Sequence, residues 1–151
     1  MAWWEEIGLG IKVERAADAL AIDASPGEPF FTVTGLIRLT GLLGYCTVAV
    51  GGANTCQFTL DPDAAGAAVT VLDANLDITA STEGDIISIA GDPGTNLMAG
   101  HVCVQQMLPV APRGVILEAG VIGFIATAAL GTFRWVLYYK PVDDGATVTV
   151  I

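Results

Sequence analysis

Basic residues are scarce in this 151-residue chain, which carries 6 Lys and Arg against 16 Asp and Glu and has a formal net charge of −10. Charged residues of both signs make up 15% of the chain, below the roughly 25% of an average soluble domain. An acidic surface repels phosphate backbones, and no run of Lys or Arg reverses that field locally. The composition therefore excludes nucleic acid as an expected partner.

Residues that carry nucleophilic chemistry are also few. The single histidine, His101, lies two residues before Cys103, and side chains at this spacing on a strand stand about 7 Å apart, too far for direct proton transfer. The serines lie outside any nucleophile elbow, and no glycine-rich loop for phosphate is present. We therefore expect no catalytic residue, no cofactor and no metal ligand, and we expect the protein not to be an enzyme.

Aspartate side chains leave two alternatives open. One is a structural cation, since carboxylate and amide oxygens are the ligands that Ca²⁺ prefers. The other is an acidic β-sandwich hydrolase, in which the separation of two carboxylates defines the reaction. Most of these aspartates stand beside Gly or Pro, where Asp commonly forms turns. The candidate groups are Asp61 with Asp63, Asp143 with Asp144, and the row Asp73, Asn75 and Asp77.

Cysteine is limited to Cys46, Cys56 and Cys103, with no Cys-x-x-Cys pair. If the strands around the first two turn at residues 51–55, Val50 faces Cys56 and Cys46 faces Leu60. The sulfur atoms of Cys46 and Cys56 would then lie roughly 13 Å apart, which is too far for a disulfide. We predict buried free thiols.

Apolar residues make up 53% of the chain, and neither of the two long stretches with at most one charged residue is typical of a membrane helix. Residues 39–60 are broken by four glycines, and residues 115–133 contain Glu118. Both stretches are rich in Val, Ile, Thr and Gly, which favours strands. The first residues also lack the basic region of a signal peptide, because Glu5 and Glu6 stand there. We expect no membrane partner, assembly in the cytoplasm, and apolar surface that is buried against other chains.

Alternation of apolar and polar residues is the dominant pattern after residue 25. It predicts strands at 31–40, 69–80 and 133–140, with shorter ones at 44–50, 55–61, 85–90, 101–107, 113–118, 121–128 and 146–151. Turn residues such as Asp61-Pro62-Asp63 and Asp92-Pro93-Gly94 separate them. The sequence therefore predicts an all-β, single-domain β-sandwich or jelly-roll-like fold over residues 26–151.

The first 25 residues follow a different pattern and are predicted to form an extended N-terminal arm. Gly8 and Gly10 weaken any helix in this segment. Two adjacent tryptophans cannot face the same side of one strand, and aromatic anchors dominate interface energetics. We predict that Trp3, Trp4 and Ile7 form an interface with another chain; the alternative is that these side chains pack on the chain's own core.

The order of these strand-like segments resembles that of virion structural proteins of tailed bacteriophages, in particular small capsid decoration (cement) proteins. Residues 12–20, 29–35 and 37–44 are similar to the opening strands of such proteins, and residues 76–79 and 85–91 to their central strands. The ending, residues 133–150, is the closest match. The resemblance covers most of the chain. It rests on stretches with a similar strand pattern and not on functional motifs, and the tryptophan-rich start departs from it.

The resemblance implies a function without catalysis. Such proteins bind the outer surface of the shell formed by the major capsid protein and stabilise it, commonly as homotrimers. It therefore implies the major capsid protein and further copies of this chain as partners, and the capsid surface of a virion assembled in the host cytoplasm as the location. The interface predicted for Trp3, Trp4 and Ile7 would then be with the capsid or between subunits. A head-fibre or tail protein that binds a receptor or glycan through Tyr138 or Tyr139 is the nearest alternative, and an oligomeric bacterial β-protein is a further one.

Overall fold

The computed structural model describes residues 8–89, 98–102 and 115–151, and the regular elements within these residues are all β-strands. In chain order they are β1 (Ile11–Ala19), β2 (Glu28–Thr34), β3 (Ile37–Val48), β4 (Thr55–Pro62), β5 (Thr70–Val71), β6 (Leu76–Asp77), β7 (Ile86–Ile89), β8 (Met98–Val102), β9 (Val115–Leu117), β10 (Gly120–Ala126), β11 (Thr132–Pro141) and β12 (Thr147–Val150).

The strands form two six-stranded antiparallel sheets. The first sheet has the order β1-β11-β3-β7-β8, with β9 also paired to β3. The second sheet has the order β12-β2-β10-β4-β5, with β6 also paired to β4. The predicted all-β sandwich is confirmed, whereas its finer description as a jelly-roll stays a prediction.

The core lies between the sheets because the long strands turn alternate apolar side chains inward. On β11 these are the residues that the alternation predicted: Phe133, Trp135, Leu137 and Tyr139. The centre of the core is aromatic. Phe30 stacks on Phe124 with 4.8 Å between ring centroids, and Trp135 packs edge-on against Phe58 at 5.1 Å. This cluster joins strands of both sheets and fixes their relative position.

The edge strand β1 belongs to the first sheet, although its residues fall within the predicted arm. Its nine residues pair with β11. Arg15 on β1 reaches across to the second sheet, where its guanidinium lies 3.0 Å from a carboxylate oxygen of Glu28 and 4.1 Å from the centroid of the Phe30 ring. The division into an arm (1–25) and a domain (26–151) stays a prediction. The structure shows in addition that part of the predicted arm, β1, pairs with β11 of the domain.

The hairpin assumed for residues 46–60 is wrong, because β3 and β4 lie in different sheets. Cys46 is opposite Phe133 in the first sheet, and Cys56 is opposite Ala126 in the second. Both cysteines are nevertheless buried and free, as predicted. The two cysteines are separated because β3 and β4 lie in different sheets. The hairpin register that was predicted plays no part in this.

Two of the predicted strands are interrupted. Residues 31–40 bend between β2 and β3 at Gly35, whose φ of 72° is readily adopted only by glycine. Residues 69–80 pair with β4 only through the two-residue strands β5 and β6. Between these strands Leu72 and Asp73 are both buried. Residues 72–75 lie outside any strand, so the predicted strand is interrupted there.

Candidate functional site

The predicted anchor residues Trp3, Trp4 and Ile7 lie outside the described residues. The described chain begins at Gly8, and Leu9 is buried against Val136 and Tyr138 on the outer face of the first sheet. The hydroxyl of Thr40 donates a hydrogen bond to the carbonyl oxygen of Leu9. The segment before β1 thus packs on the outer face of the first sheet.

An apolar groove of about 430 Å³ lies at the edge of the sandwich, where β5 of the second sheet and β9 of the first both contribute residues. Two of its side chains are unusually exposed for their type, Val71 at 42% and Ile116 at 53%. Exposed apolar surface with a polar rim is typical of protein interaction sites. The groove is therefore the strongest candidate interaction site among the described residues.

Acidic residues lie in and next to the segments that form the groove. Glu118 lines the groove and is exposed, and the backbone N–H of Asp63 bonds to the carbonyl oxygen of the next residue, Ala119, at 3.0 Å. A carboxylate oxygen of Asp143 accepts the backbone N–H of the lining residue Leu36 at 2.8 Å. Glu118 is thus the carboxylate that lines the groove, while Asp63 and Asp143 are hydrogen-bonded to the segments that form it. We refer to the apolar lining residues and Glu118 together as the acidic groove.

The outer face of the first sheet has the opposite charge. Lys12, Arg38, Arg134 and Lys140 all lie on it, because each alternates along its strand with side chains that belong to or pack against the core. We call these four residues the cationic face. Of the five Lys and Arg among the described residues, it holds all but Arg15. Most of the positive charges in the described part of the chain therefore lie on this face.

Glu14 lies within the cationic face and has two cationic neighbours. Its carboxylate oxygens are 2.7 Å from Lys12 Nζ and 3.5 Å from a guanidinium nitrogen of Arg134. The pKa of Glu14 is lowered, first by its hydrogen bond with Lys12 and further by the charges of Lys12 and Arg134, although desolvation opposes this. Arg134 also lies over the ring of Tyr45, 5.6 Å from its centroid. These are exposed contacts, and such contacts contribute little to folding stability.

The two tyrosines assigned to glycan contact are not exposed, and that assignment is wrong. Tyr138 is 5% and Tyr139 3% accessible. Tyr139 faces the core, while Tyr138 is covered by the segment that contains Leu9. Burial is the main reason that the pKa of Tyr138 is raised.

The aspartate row proposed as a ligand or hydrolase group does not form. Asp73 is buried, while Asn75 and Asp77 are exposed and lie outside a common strand. Across the described residues, no three His, Cys, Asp or Glu side chains come together as a metal site. Cys103 lies outside the described residues, and so does the side chain of His101.

The two described thiols are held in the protonated form. Cys56 lies in the core, where burial raises the pKa of its thiol. Burial, followed by the negative charge of Asp85, also raises the pKa of Cys46. Because the thiolate is the reactive form, neither group is poised as a nucleophile.

We expect both thiols to resist labelling in the folded protein. A Cys103→Ser variant isolates them, and its reaction with Ellman's reagent at pH 8 should be at least about 100-fold slower in native buffer than in urea. The measurement is the absorbance time course under the two conditions. Rapid native labelling of either thiol, with the unfolding transition unchanged, would contradict the burial described here.

Neither the acidic groove nor the cationic face was predicted from the sequence. Arg38, Arg134 and Lys140 were on predicted strands, whereas Lys12 was in the predicted arm. The common face of these residues depends on the pairing β1-β11-β3, which the sequence does not reveal.

Within the described residues, no helix has the length and apolar character to cross a membrane. Comparisons with family models, curated proteins and solved structures gave no match.

Proposed function

We propose that this chain is a capsid decoration protein of a tailed bacteriophage. It binds the outer surface of the major capsid protein shell, stabilises that shell without catalysis, and acts as a homo-oligomer, with a trimer as the expected form. The observation that carries the proposal is the exposed apolar groove at the edge of an acidic β-sandwich. A groove of this kind favours binding to protein surfaces over chemistry on a small substrate.

The order of strand pairing supports a jelly-roll within this proposal. The antiparallel pairs are nested along the chain: β1 pairs with β11, β2 with β10, β3 with β9, and β4 with β5. Two sheets built from such nested pairs are the arrangement of the jelly-roll, which is common in viral capsid proteins. The fold alone does not assign a function, so the proposal also depends on the groove and on the resemblance of the sequence.

The physical requirements of shell binding are compatible with this chain. A decoration protein needs buried contact area and many copies, because multivalent attachment multiplies weak individual contacts. Exposed apolar residues outside the groove offer further contact area, among them Val48 at 56% and Val142 at 51% exposure. The net charge of −10 keeps the decorated surface from binding nucleic acid.

Co-sedimentation tests the proposal directly. Undecorated shells assembled from the major capsid protein of the same genome should bind the purified chain saturably and should unfold at a higher temperature once decorated. A chain that stays in the supernatant at every shell concentration would overturn the proposed function.

The anchor prediction needs its own variant. Replacing Trp3 and Trp4 together with alanine should weaken shell binding more than about tenfold, since buried tryptophans are frequent hot spots. The matched control is Ile22→Ala, which removes an exposed apolar side chain elsewhere. Binding by the tryptophan variant that equals both wild type and control would refute the anchor role while leaving the proposed function intact.

A further inference from the structure

We propose that the edge of β1 that faces away from β11 pairs antiparallel with the same edge of a second copy of this chain. The twofold axis of the pair passes through Val13. A contact of this symmetry joins copies in pairs. It goes beyond the proposed function, because it is separate from any threefold contact that would build the expected trimer.

The first argument is that β1 is an exposed edge strand. In the part of the chain that the structure describes, β1 pairs with β11 and with no other strand. Each of its nine residues is exposed or half-buried. The outward N–H and C=O groups of such an edge form a template on which another strand can add. A second copy of the chain offers an identical edge as that strand.

The second argument is the length over which β1 is regular. Residues 11–15 pair with β11 in one continuous register, and the register shifts between Arg15 and Asp18. The regular part of the edge is therefore five residues long, with Val13 in the middle. Antiparallel pairing about Val13 uses all five residues of both copies, because residue 11 then lies opposite residue 15 and residue 12 opposite residue 14. Any other register leaves some of these residues unpaired.

The third argument is charge complementarity in that same register. Lys12 and Glu14 pair with Tyr138 and Val136 of β11 and therefore share the outer face of the sheet. Pairing about Val13 places Lys12 of each copy opposite Glu14 of the other, so two such pairs form. Opposite charges directly across antiparallel strands stabilise the pairing, and like charges destabilise it. The register that pairs every regular residue is thus also the register that matches the charges.

The fourth argument comes from the inner side of the edge. Ile11 pairs with the core residue Tyr139 and so points to that side, yet its side chain is 48% exposed. In the proposed register Ile11 lies opposite Arg15 of the second copy. Arg15 lines a pocket of about 220 Å³ together with the exposed residues Val150 and Ile151. Pairing therefore brings an exposed apolar side chain next to exposed apolar surface, and both lose contact with water.

Charge substitutions test the contact. The variant Lys12→Glu places glutamates opposite glutamates, and the variant Glu14→Lys places lysines opposite lysines. The dissociation constant for pairing should therefore rise at least about tenfold in each. An equimolar mixture of the two variants again places lysines opposite glutamates and should recover pairing, as should one chain that carries both substitutions. Sedimentation equilibrium at low salt measures all of these.

The matched control for the charge variants is Glu83→Lys. Glu83 is exposed and precedes β7, which is separated from β1 by two strands of the first sheet. This variant makes the same chemical change as Glu14→Lys and should pair as wild type does. Circular dichroism melts verify that every variant is folded.

Disulfide trapping tests the register. In a Cys103→Ser background, a mixture of the variants Lys12→Cys and Glu14→Cys places the new thiols directly opposite each other. In either variant alone, the two equivalent Cα atoms are about 8 Å apart, which is too far for a disulfide. Oxidised glutathione should therefore link the mixture at least about tenfold faster than either variant alone, as measured on non-reducing gels.

Three results would overturn the proposed contact. They are a mixture of cysteine variants that links no faster than the single variants, a mixture of charge variants that does not recover pairing, and a wild-type chain that shows no pairing at about 0.5 mM in low salt. Shell co-sedimentation of the wild type is measured separately, so none of these results bears on capsid binding.

Discussion

Replacing Asn54 with aspartate is expected to lower the free energy of unfolding by about 3–5 kcal/mol, a large share of the stability of an ordinary domain. Asn54 is 1% exposed and lies between β3 and β4, where the chain crosses from one sheet to the other. Its side-chain nitrogen donates to the carbonyl oxygens of Ala128 and Leu130 at 2.9 and 3.1 Å. Its side-chain oxygen accepts the backbone N–H of Ala128 at 2.9 Å and the hydroxyl of Thr127 at 3.3 Å.

The amide of Asn54 therefore uses both of its donors and both of its acceptor sites. An aspartate of the same shape keeps the acceptors but places a second oxygen against the carbonyl oxygens of Ala128 and Leu130. Those carbonyls lose their donors, and a negative charge is buried without a cation. The crossover and the loop before β11 are then no longer joined by this network.

The penalty should depend on pH in a known direction. Burial and the two carbonyl oxygens raise the pKa of the introduced carboxyl above its unfolded value of about 3.9. The variant's stability therefore falls as the pH rises from about 4 through the raised pKa. The difference from wild type should shrink as the pH is lowered toward 4, because a protonated carboxyl can again donate to one carbonyl.

Asn75→Asp is the matched control, since it makes the same chemical change at an exposed position. Urea unfolding followed by circular dichroism at pH 7 and pH 4.5 measures both variants. We expect the Asn75 variant to stay within about 0.5 kcal/mol of wild type. Equal stabilities of the two variants at pH 7 would show that the Asn54 network does not hold the crossover.

The case of Asn54 shows what the sequence could reveal about this fold. Its position after Gly51 and Gly52 correctly predicted irregular chain there, and the alternation around Trp135 correctly predicted β11. Neither pattern indicates which strands pair with each other. Residues 46–60 read equally well as a hairpin or as a crossover between sheets, because a period of two gives the face of each residue and not the sheet to which its strand belongs.

The candidate site was less predictable than the fold for a related reason. Tyr138 falls on the polar side of the β11 alternation, yet it is buried because Leu9 packs on that side of the sheet. The exposure of Ile116 depends on β9 being a short strand at the edge of the groove. Both facts depend on long-range packing, which local alternation does not encode.

Replacing Gly44 with alanine is expected to lower the free energy of unfolding by about 3 kcal/mol, because the added methyl group would overlap the indole of Trp135. Gly44 lies directly opposite Trp135 in the pairing of β3 with β11. An ideal Cβ on Gly44 would be 2.4 Å from Cζ3 and 2.7 Å from Cη2 of the indole ring. Carbon atoms in contact prefer about 3.5–4.0 Å, so the ring or the backbone must move.

The indole has little room to move. Its centroid is 5.1 Å from that of Phe58, 5.2 Å from Phe124 and 5.7 Å from Phe133. Displacing it disturbs the cluster that joins the two sheets, and a close-packed core resists such a shift. The expected loss of stability is steric. Gly44 is not among the glycines with positive φ, and alanine is otherwise slightly more favourable than glycine in a strand.

Two further variants separate this clash from a general effect of the substitution. Gly51→Ala adds the same methyl group where no atom lies within 4 Å, and it should change stability by less than about 0.5 kcal/mol. Combining Gly44→Ala with Trp135→Phe shortens the ring at the point of overlap. The double variant should therefore be more stable than the sum of the single changes predicts, by about 1 kcal/mol or more in a double-mutant cycle. Circular dichroism in urea measures five chains: wild type, Gly44→Ala, Trp135→Phe, their double variant and Gly51→Ala. Strict additivity in the cycle would show that the cost of Gly44→Ala does not come from the contact with Trp135.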